Sequence, residues 1–111
     1  MKSLEGRWIL VTGASAGIGE ACARRFAEDG AGLILWARRL DRLQDLAAEL
    51  QERYGAKVEI RQVDVRDRDL VVREAAALVA AGRVPDVILN NAGLASGFDA
   101  IHEGSYEDWD R

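Results

Sequence analysis

The sequence contains hardly any cysteine, proline or histidine, since each occurs once in 111 residues. Because the single cysteine, Cys22, cannot form an internal disulfide, a disulfide-rich secreted domain is excluded and a reducing cytoplasm is the expected location. The lone His102 has no second histidine or cysteine at ligand spacing, so no metal site is predicted. One proline and 11 glycines also exclude a collagen-like or low-complexity chain.

A strong excess of charge and a long apolar run are also missing. The chain has 15 Lys+Arg against 19 Asp+Glu, a net charge of −4, which offers no electrostatic basis for binding nucleic acid or an anionic membrane. Its longest apolar run, residues 75–81, is much shorter than the roughly 18 residues of a membrane-spanning helix. With 49% hydrophobic residues, the sequence predicts a single water-soluble globular domain.

Short, nearly continuous apolar runs alternate with longer segments of helical periodicity. The runs are residues 8–11, 33–36 and 87–89, with a less regular one at 58–65. Such runs are typical of strands that are buried on both faces of a parallel sheet. The order of elements is therefore β-α-β-α-β-α-β. Right-handed crossovers then predict an α/β fold with a doubly wound parallel sheet in the order 3-2-1-4.

Each helical segment carries an apolar stripe that is expected to face the core. The stripe of the first helix, predicted over residues 18–29 and ended by Gly30, consists of Ile18, Cys22 and Phe26. The stripe of the second helix consists of Leu40, Leu43, Leu46, Ala47, Leu50 and Tyr54. Asp67 can cap the third helix. The stripe of that helix consists of Leu70, Val71, Ala75, Leu78 and Val79.

The most informative motif is the stretch TGASAGIG at residues 12–19, between the first strand and the first helix. Backbone N–H groups at a helix N-terminus, aided by the helix dipole, can bind an anion such as a pyrophosphate. Gly13 permits the turn, Gly17 allows close approach of the anion, and Gly19 allows close helix–sheet packing. The spacing is T-G-x-x-x-G-x-G, and no Gly-Lys-Ser/Thr follows, so a P-loop is excluded. The alternative is a turn that only packs a helix on the sheet.

Two arginines follow the second strand, at the place where dinucleotide-binding folds often carry an acid that accepts hydrogen bonds from a ribose. Arg38 lies 19 residues after Gly19 (38 − 19 = 19). Ala37 supplies no carboxylate that would repel a 2′-phosphate, whereas Arg38 and Arg39 offer guanidinium groups that would bind one. The alternative is a solvated basic entry into the second helix.

Further polar residues follow the third and fourth strands. Asp64 and Val65 end the third, and residues 90–93, Asn-Asn-Ala-Gly, end the fourth. In open α/β sheets, ligands bind beyond the carboxyl ends of the strands. Asp64 can therefore accept a hydrogen bond from an adenine amino group, although a cap or a solvated strand end is equally compatible with the sequence. The amides of Asn90 and Asn91 suit backbone groups at the strand ends or a ribose.

Four segments, in their order and spacing, resemble the short-chain dehydrogenase/reductase family. They are residues 12–19, 37–39, 64–65 and 90–93. The resemblance extends from Arg7 onward and corresponds to the N-terminal half of such an enzyme. Within the family, residues 91–97 and 107–109 are most similar to the NADP-dependent 3-hydroxy acid (serine or allo-threonine) dehydrogenases.

The resemblance implies that residues 1–111 are the Rossmann-type dinucleotide-binding domain, and the N-terminal part, of a longer NADP-dependent oxidoreductase. Such an enzyme transfers hydride between nicotinamide and a secondary alcohol or ketone, here a 3-hydroxy acid. The implied cofactor-binding residues are Gly13, Ala14, Ser15, Ala16, Gly17, Ile18, Gly19, Arg38, Arg39, Asp64, Val65 and Asn91. Residues 13–18 would hold the pyrophosphate, with Ser15 reaching toward the 2′-phosphate. Asp64 and Val65 would flank the adenine, and Asn91 would lie beside the nicotinamide-side ribose.

No catalytic residue is predicted within the chain. The resemblance implies that the catalytic Ser, the Tyr-x-x-x-Lys pair and a helix Asn lie beyond Arg111, so the 111 residues are expected to be inactive by themselves. Tyr54 and Lys57 have the wrong spacing for such a pair, and Gly55 breaks the helix that would align them. Tyr54 is instead expected to be a core residue.

Two other functions are compatible with parts of the pattern. A non-catalytic NADP-binding or redox-sensing module would need the glycine-rich loop and the arginines but no Tyr-x-x-x-Lys. A methyltransferase on a similar sheet would need an acid at Ala37 or Arg38, so the arginines disfavour it. The expected partner is a small-molecule alcohol or ketone, and a homo-oligomer is expected for the full-length parent.

Overall fold

The computed structural model describes residues 3–15 and 17–91. The elements are β1 (Trp8–Thr12), α1 (Gly17–Glu28), β2 (Gly32–Ala37), α2 (Leu40–Tyr54), β3 (Val58–Gln62), α3 (Arg68–Ala80) and β4 (Val87–Asn90). All strand pairs are parallel, and the order β3-β2-β1-β4 confirms the predicted topology. None of these three helices is both long and apolar enough to cross a membrane.

The sheet is covered by helices on both faces, as its nearly continuous apolar strands predict. Successive side chains of a strand point to opposite faces, so β1 and β2 each contribute to two separate clusters. The cluster beneath α1 and α2 contains, from these strands, Ile9, Val11, Leu33, Leu35 and Ala37. The cluster beneath α3 contains, from the same strands, Leu10, Ile34 and Trp36. Every residue of β2 is buried, which identifies it as a central strand.

The buried face of α1 differs from the predicted one. The side chain of Ile18 is 71% exposed, and Cys22 and Phe26 are only partly buried. The residues that face the sheet are small and lie one position further along the chain: Gly19, Ala23 and Ala27. The period of four residues was therefore correct, but the helix approaches the sheet so closely that large side chains do not fit beneath it.

The prediction that the third strand continues to Val65 is wrong, because β3 ends at Gln62. The Asp64 carbonyl oxygen instead accepts a hydrogen bond from the Asp67 N–H at 2.9 Å, which turns the chain toward α3. Val65 is nonetheless 8% exposed. The apolar pattern thus correctly indicated that Val65 is buried, but Val65 lies in the segment between β3 and α3 and not in a strand.

The third helix begins with the predicted cap. The Asp67 carboxylate accepts a hydrogen bond from the Leu70 N–H at 3.1 Å, which satisfies a donor of the first helical turn. Val71 is fully buried, and Leu70 and Leu78 pack against the same cluster. Val79, which was predicted to belong to this stripe, is exposed because it lies about 100° around the helix from Leu78.

An ion-pair network joins α1 to α2. Arg24 donates from Nε to Glu49 Oε2 at 2.8 Å and from Nη2 to Glu49 Oε1 at 3.1 Å. The same Nη2 donates to Glu20 Oε1 at 2.7 Å within α1. Hydrogen bonding to the Arg24 guanidinium lowers the pKa of Glu49 below its usual value of 4.5. This forked pair fixes the distance between the two helices at the sheet surface.

Replacing Glu49 by Gln should lower the free energy of unfolding at pH 7 by about 1 kcal/mol, because it removes a charge-assisted pair that is partly exposed. Since the pKa of Glu49 is lowered in the folded protein, the stabilisation is present above pH 4.5 and is lost as the pH falls below that value. Urea unfolding from pH 3 to pH 7 measures this, and the stabilities of the two proteins should converge at acidic pH.

The matched control is Glu52→Gln, which removes an exposed charge from the same helix. Glu52 has no ion pair within the described part of the chain. This variant should unfold with nearly the wild-type free energy at every pH. Equal losses in the Glu49 and Glu52 variants would contradict a specific role for the Arg24–Glu49 pair.

Candidate functional site

The carboxyl ends of the strands meet at one edge of the sheet. Thr12, the last residue of β1, is in register with Trp36 on one side and with Asn90 on the other. Ala37 is in register with Gln62. The carboxyl ends of β1, β2 and β4 are therefore aligned with one another. This alignment brings the glycine-rich loop, the two arginines and the paired asparagines to one edge of the sheet.

The glycine-rich loop is anchored to the sheet at its beginning. Gly13 has a φ of +65°, in the left-handed region, which allows the turn off β1. The Ala14 N–H donates to the Trp36 carbonyl oxygen at 3.3 Å, and the Ala14 side chain is fully buried. Gly17, with a φ of +52°, then begins α1. The first-turn N–H groups of a helix have no intrahelical partner, so they are available to an anion in front of α1.

Gly19 is the contact point between α1, the loop and the end of β4. A Cβ atom at this position would collide with the Gly13 carbonyl oxygen and would lie 2.8 Å from Asn91 Nδ2. Asn91 Nδ2 in turn donates to the same Gly13 oxygen at 3.3 Å. Thr12 Oγ1, which is fully buried, donates to Asn90 Oδ1 at 3.0 Å. The amides of both asparagines thus brace the base of the loop.

The turn after β2 presents two arginines with different partners. Arg39 donates to the Asp41 carboxylate from Nε at 3.2 Å and from Nη2 at 3.0 Å. This pair lowers the pKa of Asp41 and raises that of Arg39. The Arg38 side chain is exposed and has no carboxylate within 4.0 Å in the described part of the chain. Ala37, which precedes it, is only 4% exposed.

A third arginine, which the sequence reading missed, also lies beside the loop. Arg42 Nη1 is 3.4 Å from the Ser15 carbonyl oxygen, a contact between α2 and the loop that precedes α1. Arg42 belongs to the first turn of α2. Its spacing of four from Arg38 could have suggested a shared site, but only the fold shows that Ser15 is nearby.

Asp64 forms a tight turn with Arg66. The Asp64 carboxylate accepts hydrogen bonds from the Arg66 N–H at 3.0 Å and from Arg66 Nη2 at 2.8 Å. Hydrogen bonding to Arg66 lowers the pKa of Asp64 to about 2, and the charge of Arg38 contributes to the same shift. Asp64 is therefore an anion at neutral pH and lies within electrostatic reach of Arg38.

The tyrosine and lysine at 54 and 57 lie at the opposite edge of the sheet. Together with Trp8 and Gly32, at the starts of β1 and β2, they line a cavity of about 400 Å³. Tyr54 packs against the cluster beneath α1 and α2 but is only partly buried, so the prediction of a core residue is met in part. This cavity is separated from the glycine-rich loop by the length of the strands.

Some predicted residues lie outside the described part of the chain. They include Ala16 of the loop and everything after Asn91, with the Ala-Gly of residues 92–93, His102 and residues 107–109. Within residues 3–15 and 17–91, no cluster of three or more His, Cys, Asp or Glu side chains could hold a metal ion.

Four parallel strands in the order 3-2-1-4, helices on both faces and a glycine-rich turn into α1 define a Rossmann-type α/β protein. Residues 7–111, which make up nearly the whole sequence, match the short chain dehydrogenase family. The chain belongs to this family, as the resemblance of its motifs predicted.

Similar proteins are named for different substrates, and two of the three described here are named with NADP or NADPH. The NADP-dependent 3-hydroxy acid dehydrogenase YdfG of Salmonella typhi is 48% identical over 102 residues, which are 92% of this chain and 40% of that protein. The sulfoacetaldehyde reductase of Chromohalobacter salexigens is 43% identical over 101 residues, 91% of this chain and 39% of that protein. The structure of L-sorbose reductase from Gluconobacter frateurii with NADPH and L-sorbose is 35% identical, with a TM-score of 0.76, over 98% of this chain and 41% of that one.

The predicted similarity to the 3-hydroxy acid dehydrogenase branch is therefore confirmed. The chain spans about two fifths of the length of the curated relatives it matches.

Proposed function

We propose that residues 1–111 form the cofactor-binding part of an NADP-dependent oxidoreductase that transfers hydride between nicotinamide and a secondary alcohol or ketone. The observation that carries the proposal is the exposed Arg38 side chain, which has no carboxylate partner in the described residues. Arg38 directly follows β2, at the same edge of the sheet at which the glycine-rich loop leaves β1. A guanidinium group at this place suits a 2′-phosphate, and the preceding Ala37 adds no negative charge.

The residues at this edge fit a dinucleotide. The first-turn N–H groups of Gly17, Ile18 and Gly19 would hold the pyrophosphate, because the missing Cβ of Gly19 lets α1 approach the loop. Ala14 would act by anchoring the loop, since its N–H is bound to the sheet. NADP, when bound, supplies the hydride donor or acceptor.

Other predicted contacts extend the same site. Asp64, an anion at neutral pH, would accept a hydrogen bond from the adenine amino group, with Val65 beside the ring. Asn91 would lie near the nicotinamide-side ribose, and Ser15 and Ala16 would complete the loop. Arg39 would contribute after exchanging Asp41 for the phosphate, because exposed ion pairs are worth only about 0–1 kcal/mol.

A 3-hydroxy acid or the corresponding 3-keto acid is the proposed substrate class, supported by the name of the Salmonella relative. A non-catalytic redox-sensing module is not favoured by any of the similar proteins described above. The cytoplasmic location and the homo-oligomeric full-length parent stay predictions.

The test is an assay of NADPH and NADH oxidation by the full-length protein with a panel of 3-keto acids, sulfoacetaldehyde and sorbose. The proposal predicts turnover with NADPH that exceeds turnover with NADH. It also predicts faster reaction with 3-keto acids than with the other two carbonyl substrates. Failure to oxidise NADPH with any carbonyl compound would contradict the proposed activity, whereas a different substrate preference would contradict only the proposed substrate class.

The 111-residue polypeptide, produced by itself, should not catalyse hydride transfer. Reduction of a ketone needs a proton donor about 2.6–3.2 Å from the developing alkoxide, with a pKa near the working pH. Tyr54 lies at the opposite edge of the sheet and lines a different cavity. The full-length protein is the positive control. Turnover by the short polypeptide that disappears on His102→Ala would contradict this prediction.

A further inference from the structure

Three arginines lie in the turn after β2 and the first turn of α2, and they differ in how strongly their guanidinium groups are already engaged. Arg39 is held by both oxygens of Asp41. Arg38 and Arg42 have no carboxylate within 4.0 Å among the described residues. Arg42 has instead a single contact to a neutral acceptor, the Ser15 carbonyl oxygen at 3.4 Å. Among the described residues, the guanidinium groups of Arg38 and Arg42 are therefore not held by a direct ion pair, in contrast to that of Arg39.

The position of Arg42 follows from the start of α2. The helix begins at Leu40, so Arg42 lies in its first turn, four residues after Arg38. β1 and β2 are neighbours in the sheet, and the Ala14 N–H donates a hydrogen bond to the Trp36 carbonyl oxygen of β2. This bond holds the loop that contains Ser15 close to the turn that follows β2. Arg42 therefore contacts the backbone of the glycine-rich loop two residues before the start of α1.

The contact between Arg42 and Ser15 is easily exchanged. At 3.4 Å it is long for an N–H···O hydrogen bond, and its acceptor carries no formal charge. A phosphate dianion forms shorter, charge-assisted hydrogen bonds with a guanidinium group and can accept two of them in parallel. Arg42 is also exposed, so a change of rotamer meets little steric resistance.

We propose that Arg42 is a further specificity-determining residue, which binds the 2′-phosphate of the cofactor together with Arg38. The proposal rests on the proposed binding of NADP at this edge. Arg39, which lies between them in the sequence, contributes less because it must first exchange Asp41 for the phosphate.

The competing explanation is that Arg42 only positions the loop through Ser15. The two explanations differ in their dependence on the ligand. A loop-positioning residue affects ligands with and without the 2′-phosphate equally, because both use the loop. A residue that binds the 2′-phosphate affects only ligands that carry it.

The experiment is calorimetric titration of the full-length protein with 2′,5′-ADP and 5′-AMP, and with NADP+ and NAD+. The variants are Arg42→Met, Arg42→Lys and Arg39→Met. The control is Arg73→Met, which removes an exposed arginine from α3 on the other face of the sheet.

Arg42→Met should weaken 2′,5′-ADP and NADP+ binding about tenfold or more, through loss of a charge-assisted hydrogen bond. Binding of 5′-AMP and NAD+ should change less than about twofold, which is the size expected for a lost surface charge.

Arg42→Lys should retain part of the discrimination, since lysine keeps the charge but not the fork. Arg39→Met should weaken 2′,5′-ADP less than Arg42→Met does. Equal losses for both kinds of ligand, an unchanged preference in Arg42→Met, or a larger loss in Arg39→Met would overturn the role of Arg42. A wild-type protein that binds 2′,5′-ADP no better than 5′-AMP would instead overturn the proposed NADP site itself.

Discussion

Replacing Ala37 by Asp and Arg38 by Gln should convert a preference for NADP(H) into a preference for NAD(H). Arg38→Gln removes the guanidinium group that would form charge-assisted hydrogen bonds with the 2′-phosphate. The carboxylate introduced by Ala37→Asp would repel the same phosphate. The same carboxylate would accept hydrogen bonds from the ribose hydroxyls of NAD(H). Charge-assisted hydrogen bonds contribute about 1.5–3 kcal/mol each, so the ratio of affinities should change 10²-fold or more.

The burial of Ala37 determines how this exchange must be measured. Ala37 is 4% exposed and belongs to the cluster beneath α1 and α2, so a carboxylate there will lower stability as well as alter binding. Arg38→Gln alone changes only an exposed side chain and should weaken NADP+ while leaving NAD+ binding unchanged. Arg73→Gln, on α3, is the control for loss of a positive charge. An unchanged NADP+ to NAD+ ratio in Arg38→Gln would contradict the assigned role of Arg38.

Gly19→Ala should be one of the most damaging single-methyl changes in the chain. The added Cβ would collide with the Gly13 carbonyl oxygen, which is backbone, and with the Asn91 amide. Neither can move without displacing the loop or the end of β4. Overpacking of this kind costs about 3 kcal/mol of unfolding free energy, and the displaced loop should also lose most of its cofactor affinity.

Gly17→Ala is the matched comparison for this variant. Nothing lies within 4 Å of a Cβ at Gly17, but its φ of +52° is unfavourable for alanine. The expected cost is therefore about 1–2 kcal/mol from the backbone alone. Urea unfolding and NADP+ titration of both variants separate collision from backbone strain. A Gly19→Ala protein with wild-type stability would show that the close approach of α1 is not required.

The strand order was predictable because β1 and β2 are apolar at nearly every position. A strand buried on both faces can only be central, and right-handed crossovers then leave few arrangements. The face of α1 was not predictable from the same pattern. Its inner side carries Gly19, Ala23 and Ala27, which a hydrophobicity pattern ranks below Ile18. A helix that packs closely on a sheet needs small side chains at the contact. In this helix, the small size of the residues, and not their hydrophobicity, therefore indicates the buried face.

At the candidate site, the sequence indicated the segments but not the partners of their side chains. Spacing placed Arg38 and Arg39 equally near the predicted phosphate, yet the fold pairs only Arg39 with Asp41. The contact between Arg42 and Ser15 joins residues 27 positions apart and depends on how α2 leaves the sheet. Such contacts arise from three-dimensional packing and leave no local pattern in the sequence.

The most direct test is equilibrium titration of the unmodified full-length protein with NADP+ and with NAD+ under identical ionic conditions. The exposed Arg38 guanidinium, which has no carboxylate within 4.0 Å among the described residues, predicts a dissociation constant for NADP+ that is lower than that for NAD+ by about 10²-fold or more. Raising the salt concentration should reduce the difference, because it screens the phosphate–guanidinium attraction. Equal dissociation constants for the two dinucleotides would contradict the assignment of this edge as an NADP site.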